Sequence, residues 1–141
     1  MLKFRYKIRD ILRRILGISE NIIYKSDFPD GELIGRPVQI GAFSVIDHGG
    51  GVRIGKDVKI GYGVIILSVS TIIGSGKEKI IRKPVVIGDN VEIGSHAVIL
   101  PGVKIGKNST IGAGAVVVDS IPENSIAVGI PAKVIKKKKI K

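Results

Sequence analysis

Cysteine is absent from this chain of 141 residues, and histidine is scarce. Without cysteine there is no disulfide framework and no thiolate chemistry. Two histidines, His48 and His96, are too few for a histidine-rich metal site, so we expect no bound metal. No apolar run approaches the ~18 residues of a membrane-spanning helix, and the basic N-terminus is not followed by the apolar core of a signal peptide. We therefore expect a soluble, cytoplasmic protein with a single domain.

Aromatic residues are also few, at 4%, whereas the net charge is strongly positive, at +11. The charge lies at the two ends: residues 1–16 carry six basic side chains against Asp10 alone, and residues 133–141 carry six lysines. Basic ends favour anionic partners. Single-stranded nucleic acids also require aromatic stacking platforms, which the basic tail lacks. We therefore expect no nucleic acid partner.

A six-residue repeat is the clearest pattern in the sequence. Aliphatic residues recur at this spacing in three runs: Ile40 and Ile46; Ile54, Ile60, Ile66 and Ile72; Ile87, Ile93, Ile99, Ile105, Ile111 and Val117. A period of six fits neither an amphipathic helix nor a simple strand. It is typical of short strands joined by corners, in which the repeated residue fills the core and glycine relieves crowding at the corner. Twelve such units, at three per turn, predict about four coils.

The repeat is interrupted twice. Ile40 and Ile54 are fourteen residues apart, two more than two units, and the surplus falls in "DHGGGV". Ile72 and Ile87 are fifteen residues apart, three more than two units, which predicts a loop over residues 73–86. Loops carried by a rigid scaffold are where functional sites concentrate. His48 therefore lies at a candidate site, whereas His96 lies within a regular unit and is interpreted as structural.

The repeat resembles the hexapeptide-repeat family, whose fold is an all-β, left-handed parallel β-helix. Within that family the chain most resembles the serine acetyltransferases. The motifs that carry this resemblance are "IDHGGGVRIG", "VIILSVSTIIGSGK", "RKPVVIGDNVEIGSHAVILPGVKIG", "STIGAGAVV" and "AVGIPAKVI". By comparison with that family, we expect this protein to lack the large helical N-terminal domain typical of serine acetyltransferases. The resemblance implies acetyl transfer from acetyl-CoA, a co-substrate, to a small-molecule hydroxyl.

By this resemblance, His48 is the general base, a role that suits imidazole near neutral pH. Asp47 contacts the acceptor, and Arg82 and Lys83 lie in the second loop, where the family's arginine holds the acceptor carboxylate. The chain departs from the family at two positions: Leu33 replaces the aspartate that orients the histidine, with Glu32 adjacent, and Lys83 replaces a histidine. Backbone N–H groups of residues 49–51 or 74–76 are candidate oxyanion donors.

The resemblance also implies a CoA site in the later coils. The residues concerned are Gly74, Gly94, Ser95, Ala113, Gly114, Pro131 and Lys133, with Ile130 and Ala132 in the same closing motif. Small residues let the pantetheine arm lie against the backbone, and Lys133 and the lysines after it meet phosphates. Family members form their active sites between subunits, which implies a homotrimer with an inter-subunit active site.

The sequence predicts four segments. These are an amphipathic helix over residues 1–24, a linker over 25–35, the β-helix over 36–132, and a lysine-rich tail over 133–141. The helix has apolar residues at helical spacing and a basic opposite face. It either caps the open end of the solenoid or contacts an anionic membrane surface through residues 1–16. For function, a sugar hydroxyl is an alternative acceptor to serine, and a non-catalytic scaffold is the alternative to an enzyme.

Overall fold

The computed structural model describes residues 22–74 and 76–139. In these residues strands follow one another without an intervening helix, and most of them stack into three parallel sheets. The sheets are the faces of a triangular prism, which we name A, B and C in the order in which the chain visits them. The fold is the predicted left-handed parallel β-helix. None of the described residues form a helix of the length and apolarity needed to cross a membrane.

The strands of each face are short. Face A contains β1 (Ile23–Lys25), β4 (Val45–Asp47), β7 (Ile65–Leu67), β12 (Val98–Ile99) and β15 (Val116–Val117). Face B contains β2 (Leu33–Ile34), β5 (Val52–Ile54), β10 (Val85–Ile87) and β13 (Lys104–Ile105). Face C contains β3 (Gln39–Ile40), β6 (Lys59–Ile60), β11 (Glu92–Ile93), β14 (Thr110–Ile111), β16 (Ser125–Val128) and β17 (Lys133–Lys137). A separate antiparallel hairpin contains β8 (Val69–Gly74) and β9 (Lys77–Arg82).

The regular coil is eighteen residues long, as the pairings of Glu92 with Thr110 and of Val98 with Val116 show. Three hexapeptide units therefore complete one turn, one unit on each face. Face A has five levels, so the described chain makes about five coils and the prediction of about four was one too few. The additional coil comes from β1 and β2, which precede the first six-residue unit recognised in the sequence.

The repeated aliphatic residues form the core, as predicted. Ile46, Ile66, Ile99, Ile111 and Val117 are fully buried, and they belong to one continuous apolar cluster along the prism. Each coil hydrogen-bonds to the next through its backbone, so the polar groups of these short strands are paired within the stack. The coils themselves enclose the apolar column, and no second layer of secondary structure is needed to cover it.

The corners turn through left-handed backbone. Phe43, Gly63, His96 and Gly114 have positive φ at successive levels of the corner between faces C and A, which we call corner CA. Asp57, Asn90, Asn108 and Asn124 have positive φ at the corner between faces B and C. Asparagine, aspartate and glycine adopt this conformation with the least steric conflict. At the B–C corner Asn108 also joins the coils, because its amide donates to Asn124 at 2.9 Å and accepts from Asn90 at 3.2 Å.

The second interruption of the repeat is larger than the sequence suggested. Val85 pairs with Val52, thirty-three positions earlier, which is fifteen residues more than a regular coil. These extra residues form the β8–β9 hairpin, which begins before the predicted loop over residues 73–86. Ile72 was taken as a core position, but it lies in this hairpin and is 51% exposed. The error arose because Ile72 keeps the six-residue spacing by chance within an extended strand.

Three predicted segment boundaries also differ from the structure. Most of the predicted N-terminal helix lies outside the described residues, but its last positions form β1, paired with β4. The predicted linker over 25–35 contains β2, which pairs with β5 and belongs to the solenoid. The predicted tail begins as β17, which pairs antiparallel with β16. Each of these segments lacks the hexapeptide pattern, and backbone pairing with a neighbouring coil orders it instead.

Candidate active site

His48 lies in a tight turn at the corner between faces A and B, which we call corner AB. The turn follows β4, and the two surplus residues of "DHGGGV" lie in it. The Gly49 N–H donates to Asp47 Oδ1 at 2.9 Å, and the Gly51 N–H donates to the His48 carbonyl at 2.9 Å. Gly51 has φ +95°, which only glycine adopts readily. The His48 N–H donates to the Lys25 carbonyl at 2.8 Å, so β1 also holds the turn.

Ser68 fastens this turn from the next coil. Its hydroxyl is fully buried, donates to the Asp47 carbonyl at 2.7 Å and accepts the Gly50 N–H at 2.8 Å. The Ser68 carbonyl accepts the Lys83 N–H at 2.9 Å, so the same residue joins the two ends of the hairpin. Sequence reasoning did not identify Ser68, because a serine between two apolar strands carries no signal of such a role.

These bonds change the expectation for the oxyanion donors. The N–H groups of Gly49, Gly50 and Gly51 each donate within the turn or to Ser68. A donor already engaged in this way is not available to a developing oxyanion. The glycines after His48 therefore shape the turn, and their N–H groups are not free to bind an oxyanion.

Arg82 ends the hairpin and reaches back to the His48 turn. Its Nε donates to the Gly49 carbonyl at 2.6 Å, and its Nη2 lies 2.7 Å from Asp30 Oδ1. The guanidinium carbon lies 4.5 Å from the centre of the Phe28 ring, a cation–π contact. The hydrogen bond from Arg82 holds the pKa of Asp30 below its ordinary value. Phe28 and Asp30 were assigned to a linker, and both belong to the site.

The segment that carries Phe28 and Asp30 packs directly on the His48 turn. A Cβ on Gly31 would lie 2.8 Å from the His48 carbonyl oxygen and 2.9 Å from Gly49 Cα. Such distances are too short for any side chain, so only glycine lets the two backbones meet here. The motif "SDFPDG" is therefore a wall of the site, although its turn-forming residues are equally typical of a linker.

Nothing in the described chain orients the His48 ring. Its Nδ1 is buried and has no hydrogen-bond partner among residues 22–74 and 76–139. Leu33, which replaces the family's aspartate, packs against the apolar core, as its pairing with Val52 requires. Glu32 has an exposed side chain and contributes only its carbonyl, which accepts the Val52 N–H at 2.8 Å.

The side chain of Lys83 extends in a different direction from that of Arg82. A Cβ on Gly102 would lie 3.1 Å from Lys83 Cδ, so the lysine stem lies along the following coil. Arg82 instead contacts Gly49 and Asp30. The structure thus brings together three of the residues predicted for catalysis and acceptor binding: His48, Asp47 and Arg82. The side chain of the fourth, Lys83, extends towards the later coils.

Five of the seven predicted CoA residues stack at corner CA. Gly94 and Ser95 occupy one level, Ala113 and Gly114 the next, and Pro131 the last; the Gly114 N–H donates to the Ser95 carbonyl at 2.9 Å. A Cβ on Gly94 would lie 2.5 Å from the Ala113 nitrogen, so no side chain fits between the two coils at this position.

An open groove of about 390 Å³ runs beside this corner. Gly94 and Ala113 line it together with outward-facing residues of face C, including Lys59, Glu92 and Thr110. A thin, flexible arm such as pantetheine fits a surface in which small residues leave the backbone accessible. The residues present are therefore compatible with the predicted CoA site.

The other two predicted CoA residues are not part of this stack. Gly74 pairs with Lys77 at the tip of the hairpin, about 17 Å along β8 from the coil at ~3.3 Å per residue. Lys133 begins β17, where its ammonium lies 3.7 Å from Asp119. Among the described residues there is no cluster of three or more histidine, aspartate or glutamate side chains that could hold a metal ion.

The acceptor residues and the CoA residues occupy different corners of the prism. His48 lies at corner AB, and Gly94 and Ala113 lie at corner CA, with the strands of face A between them. About five residues of extended chain separate the two corners, roughly 16 Å at ~3.3 Å per residue. The two sets of residues are therefore not adjacent within one chain.

Two sequence families match the chain. The family described as "Hexapeptide repeat of succinyl-transferase" matches residues 33–68, and "Bacterial transferase hexapeptide (six repeats)" matches residues 84–119. The unmatched residues between them are those of the hairpin. The two matches therefore fall on the coils themselves.

Curated relatives include serine acetyltransferases. One from Staphylococcus xylosus is 46% identical over 98 residues, which cover 70% of this chain and 45% of that protein. One from Staphylococcus aureus is 42% identical over 98 residues, covering 70% of this chain and 46% of that protein. The chain thus spans about half the length of the curated relatives it matches.

Solved structures share the fold. A hexapeptide-repeat acetyltransferase from Vibrio cholerae, complexed with acetyl coenzyme A, has a TM-score of 0.65 and 25% identity, covering 96% of this chain and 79% of that chain. The polySia-specific acetyltransferase NeuO has a TM-score of 0.66 and 32% identity, covering 77% and 52%. A mutant of AntD, an N-acyltransferase from Bacillus cereus in complex with dTDP and coenzyme A, has a TM-score of 0.70 at 21% identity, covering 86% and 80%. With its hexapeptide coils and these relatives, the chain belongs to the hexapeptide-repeat acyltransferases.

Proposed function

We propose that this protein transfers an acetyl group from acetyl-CoA to a hydroxyl of a small acceptor, with His48 as the general base. The observation that carries this proposal is the His48 turn itself. Its backbone is held by β1, by Ser68 and by Arg82, which come from three separate parts of the chain. A turn with no function would not need so many independent supports around a half-buried imidazole whose Nδ1 has no partner in the described residues.

In the proposed reaction, the acceptor hydroxyl oxygen attacks the thioester carbonyl carbon while Nε2 of His48 takes the hydroxyl proton. The carbon–sulfur bond breaks, the sulfur leaves with its electron pair, and the proton held by His48 passes to it. The products are an acetyl ester and free CoA. Asp47 is proposed to contact the acceptor through the carboxylate oxygen that does not accept the Gly49 N–H. Arg82 is not assigned a contact with the acceptor, because its guanidinium already binds the Gly49 carbonyl and Asp30.

We propose that the active site is completed between subunits of a homotrimer. The His48 turn and the corner CA residues lie on different edges of the prism, so one edge of a neighbour must face the other edge of this chain. The corner CA residues would then hold the pantetheine arm of acetyl-CoA beside the neighbour's His48. A complex of three chains gives three such sites, each with contributions from two subunits.

Assays of thiol release from acetyl-CoA test the proposal. The acceptors are L-serine, homoserine and simple sugars, and the variants are His48→Asn and the matched His96→Asn. His96 is also at a corner, with φ +60°, a conformation that asparagine tolerates. We expect His48→Asn to lower kcat by about 100-fold or more and His96→Asn to retain it. Equal rates in wild type and His48→Asn would refute the base assignment, and CoA binding without thiol release from any acceptor would identify a non-catalytic scaffold.

A further inference from the structure

The guanidinium of Arg82 is already engaged by the chain that carries it. The edge formed by Nε and Nη2 is used for the Gly49 carbonyl at 2.6 Å and the Asp30 carboxylate at 2.7 Å. One face of the group is covered by Phe28, whose ring centre is 4.5 Å from the guanidinium carbon. The Arg82 side chain is 34% exposed as a result.

This arrangement changes what Arg82 offers to a ligand. Arginine holds a carboxylate through two parallel N–H donors and through its uncompensated positive charge. Here Asp30 neutralises that charge, and one of the two bidentate edges is filled. A second carboxylate at Arg82 would lie close to the first, where like charges repel.

The other basic groups beside the His48 turn do not replace the missing charge. Lys25, which pairs with Asp47 in the register of face A, has its ammonium 2.8 Å from Asp27 Oδ2. The hydrogen bond to Asp27 raises the pKa of Lys25, as expected for a cation that already has a partner. The stem of Lys83 lies along Gly102 in the next coil. Arg82 is thus paired with Asp30, and Lys25 is paired with Asp27.

We propose that the acceptor hydroxyl compound of this protein carries no carboxylate, and that Asp30 sets this preference by occupying Arg82. The inference rests on the proposed acetyl transfer at His48 and names the class of acceptor for that site: a neutral or cationic hydroxyl compound, such as a carbohydrate or an amino alcohol. Arg82 is then a positioning residue that holds the Gly49 backbone and with it the His48 turn. Asp30 is the specificity-determining residue.

A matched pair of acceptors isolates the carboxylate. L-Serine and L-serinamide differ only in the replacement of the carboxylate by an amide, and a methyl glycoside tests a neutral acceptor. Affinity is measured by calorimetry in the presence of CoA, and kcat/KM is measured with acetyl-CoA. The proteins are wild type, Asp30→Asn, Asp30→Glu and Glu123→Gln, a control that removes a carboxylate from an exposed ion pair with Lys107 at the corner between faces B and C.

Wild type should favour serinamide or the glycoside over serine. Asp30→Asn should shift the serine-to-serinamide ratio towards serine by about tenfold, from the removal of one carboxylate near the ligand, whereas Asp30→Glu and Glu123→Gln should keep the wild-type ratio. Preference for serine by wild type, or no gain for serine in Asp30→Asn, would overturn the proposal. If no acceptor is acetylated, the proposed function fails, and the calorimetric ratio still decides the role of Asp30.

Discussion

Replacement of Ser68 by alanine tests whether the support of the His48 turn matters for catalysis. The variant leaves the Gly50 N–H without its acceptor and removes one of the two donors to the Asp47 carbonyl, which keeps the Ser68 N–H at 3.1 Å. A buried polar group left unpaired costs about 1–3 kcal/mol. We therefore expect the free energy of unfolding to fall by about 2 kcal/mol. Because the unpaired group lies two residues from His48, we also expect the turn to shift.

Ser109→Ala is the matched control for this experiment. Ser109 is also fully buried, and its hydroxyl donates to the Pro122 carbonyl at 2.9 Å and accepts the Ser125 N–H at 3.2 Å. It lies at the corner between faces B and C, away from His48. Urea denaturation at equal protein concentration should show similar losses of stability in the two variants.

Only Ser68→Ala should lose activity beyond its loss of stability. A displacement of a catalytic group by about 1 Å can lower the rate by about 100-fold, so kcat for thiol release should fall at least about tenfold in Ser68→Ala and stay near wild type in Ser109→Ala. Equal kcat values in the two variants, with both proteins folded, would refute the idea that Ser68 holds His48 in its working position.

Three further predictions concern charge, packing and the CoA corner. Arg82 holds the pKa of Asp30 below its ordinary value. The pair therefore stabilises the fold above pH ~3.9, and this contribution disappears as the pH falls through the lowered pKa. The Tm advantage of wild type over Asp30→Asn should vanish between about pH 5 and pH 2. Ile99→Ala removes a fully buried side chain and should lower the free energy of unfolding by about 2–5 kcal/mol in urea. Gly94→Ala and Gly88→Ala each place a Cβ within 2.5 and 2.6 Å of backbone nitrogen in the next coil and should both lower the Tm, but only Gly94→Ala should raise the KM for acetyl-CoA.

The fold was predictable wherever the same residue type fills the same structural position in every unit. Ile93 and Ile111 fill the same position on successive coils, eighteen residues apart, so their spacing reports the coil directly. Prediction failed where backbone pairing alone orders a segment. The hairpin around Ile72, the strand at Ile23 and the strand at Lys133 are held by hydrogen bonds that any sequence can make. Such bonds leave no periodic signature.

The site was predictable only as far as its motifs extend. His48 and Asp47 lie at an interruption of the repeat, and Arg82 lies in a motif shared with the family, so pattern and resemblance selected all three as candidates. The contacts of Arg82 with Phe28 and Asp30 join segments more than fifty residues apart in sequence. Spacing within one segment carries no information on such a contact. The contact forms because β1 pairs with β4, which places the segment after β1 next to the His48 turn.

The direction of β17, the last described strand, affects whether another strand can pair with the end of face C. A stack of parallel coils ends in a row of unpaired backbone groups, onto which a further coil or a second molecule can add. On face C, β17 runs against the direction of its neighbour and covers that row, and its own outer edge carries lysines at 133, 136 and 137. Like charges on such an edge oppose the approach of an identical edge. On face C, β17 and its lysines therefore oppose the end-to-end addition of an identical edge.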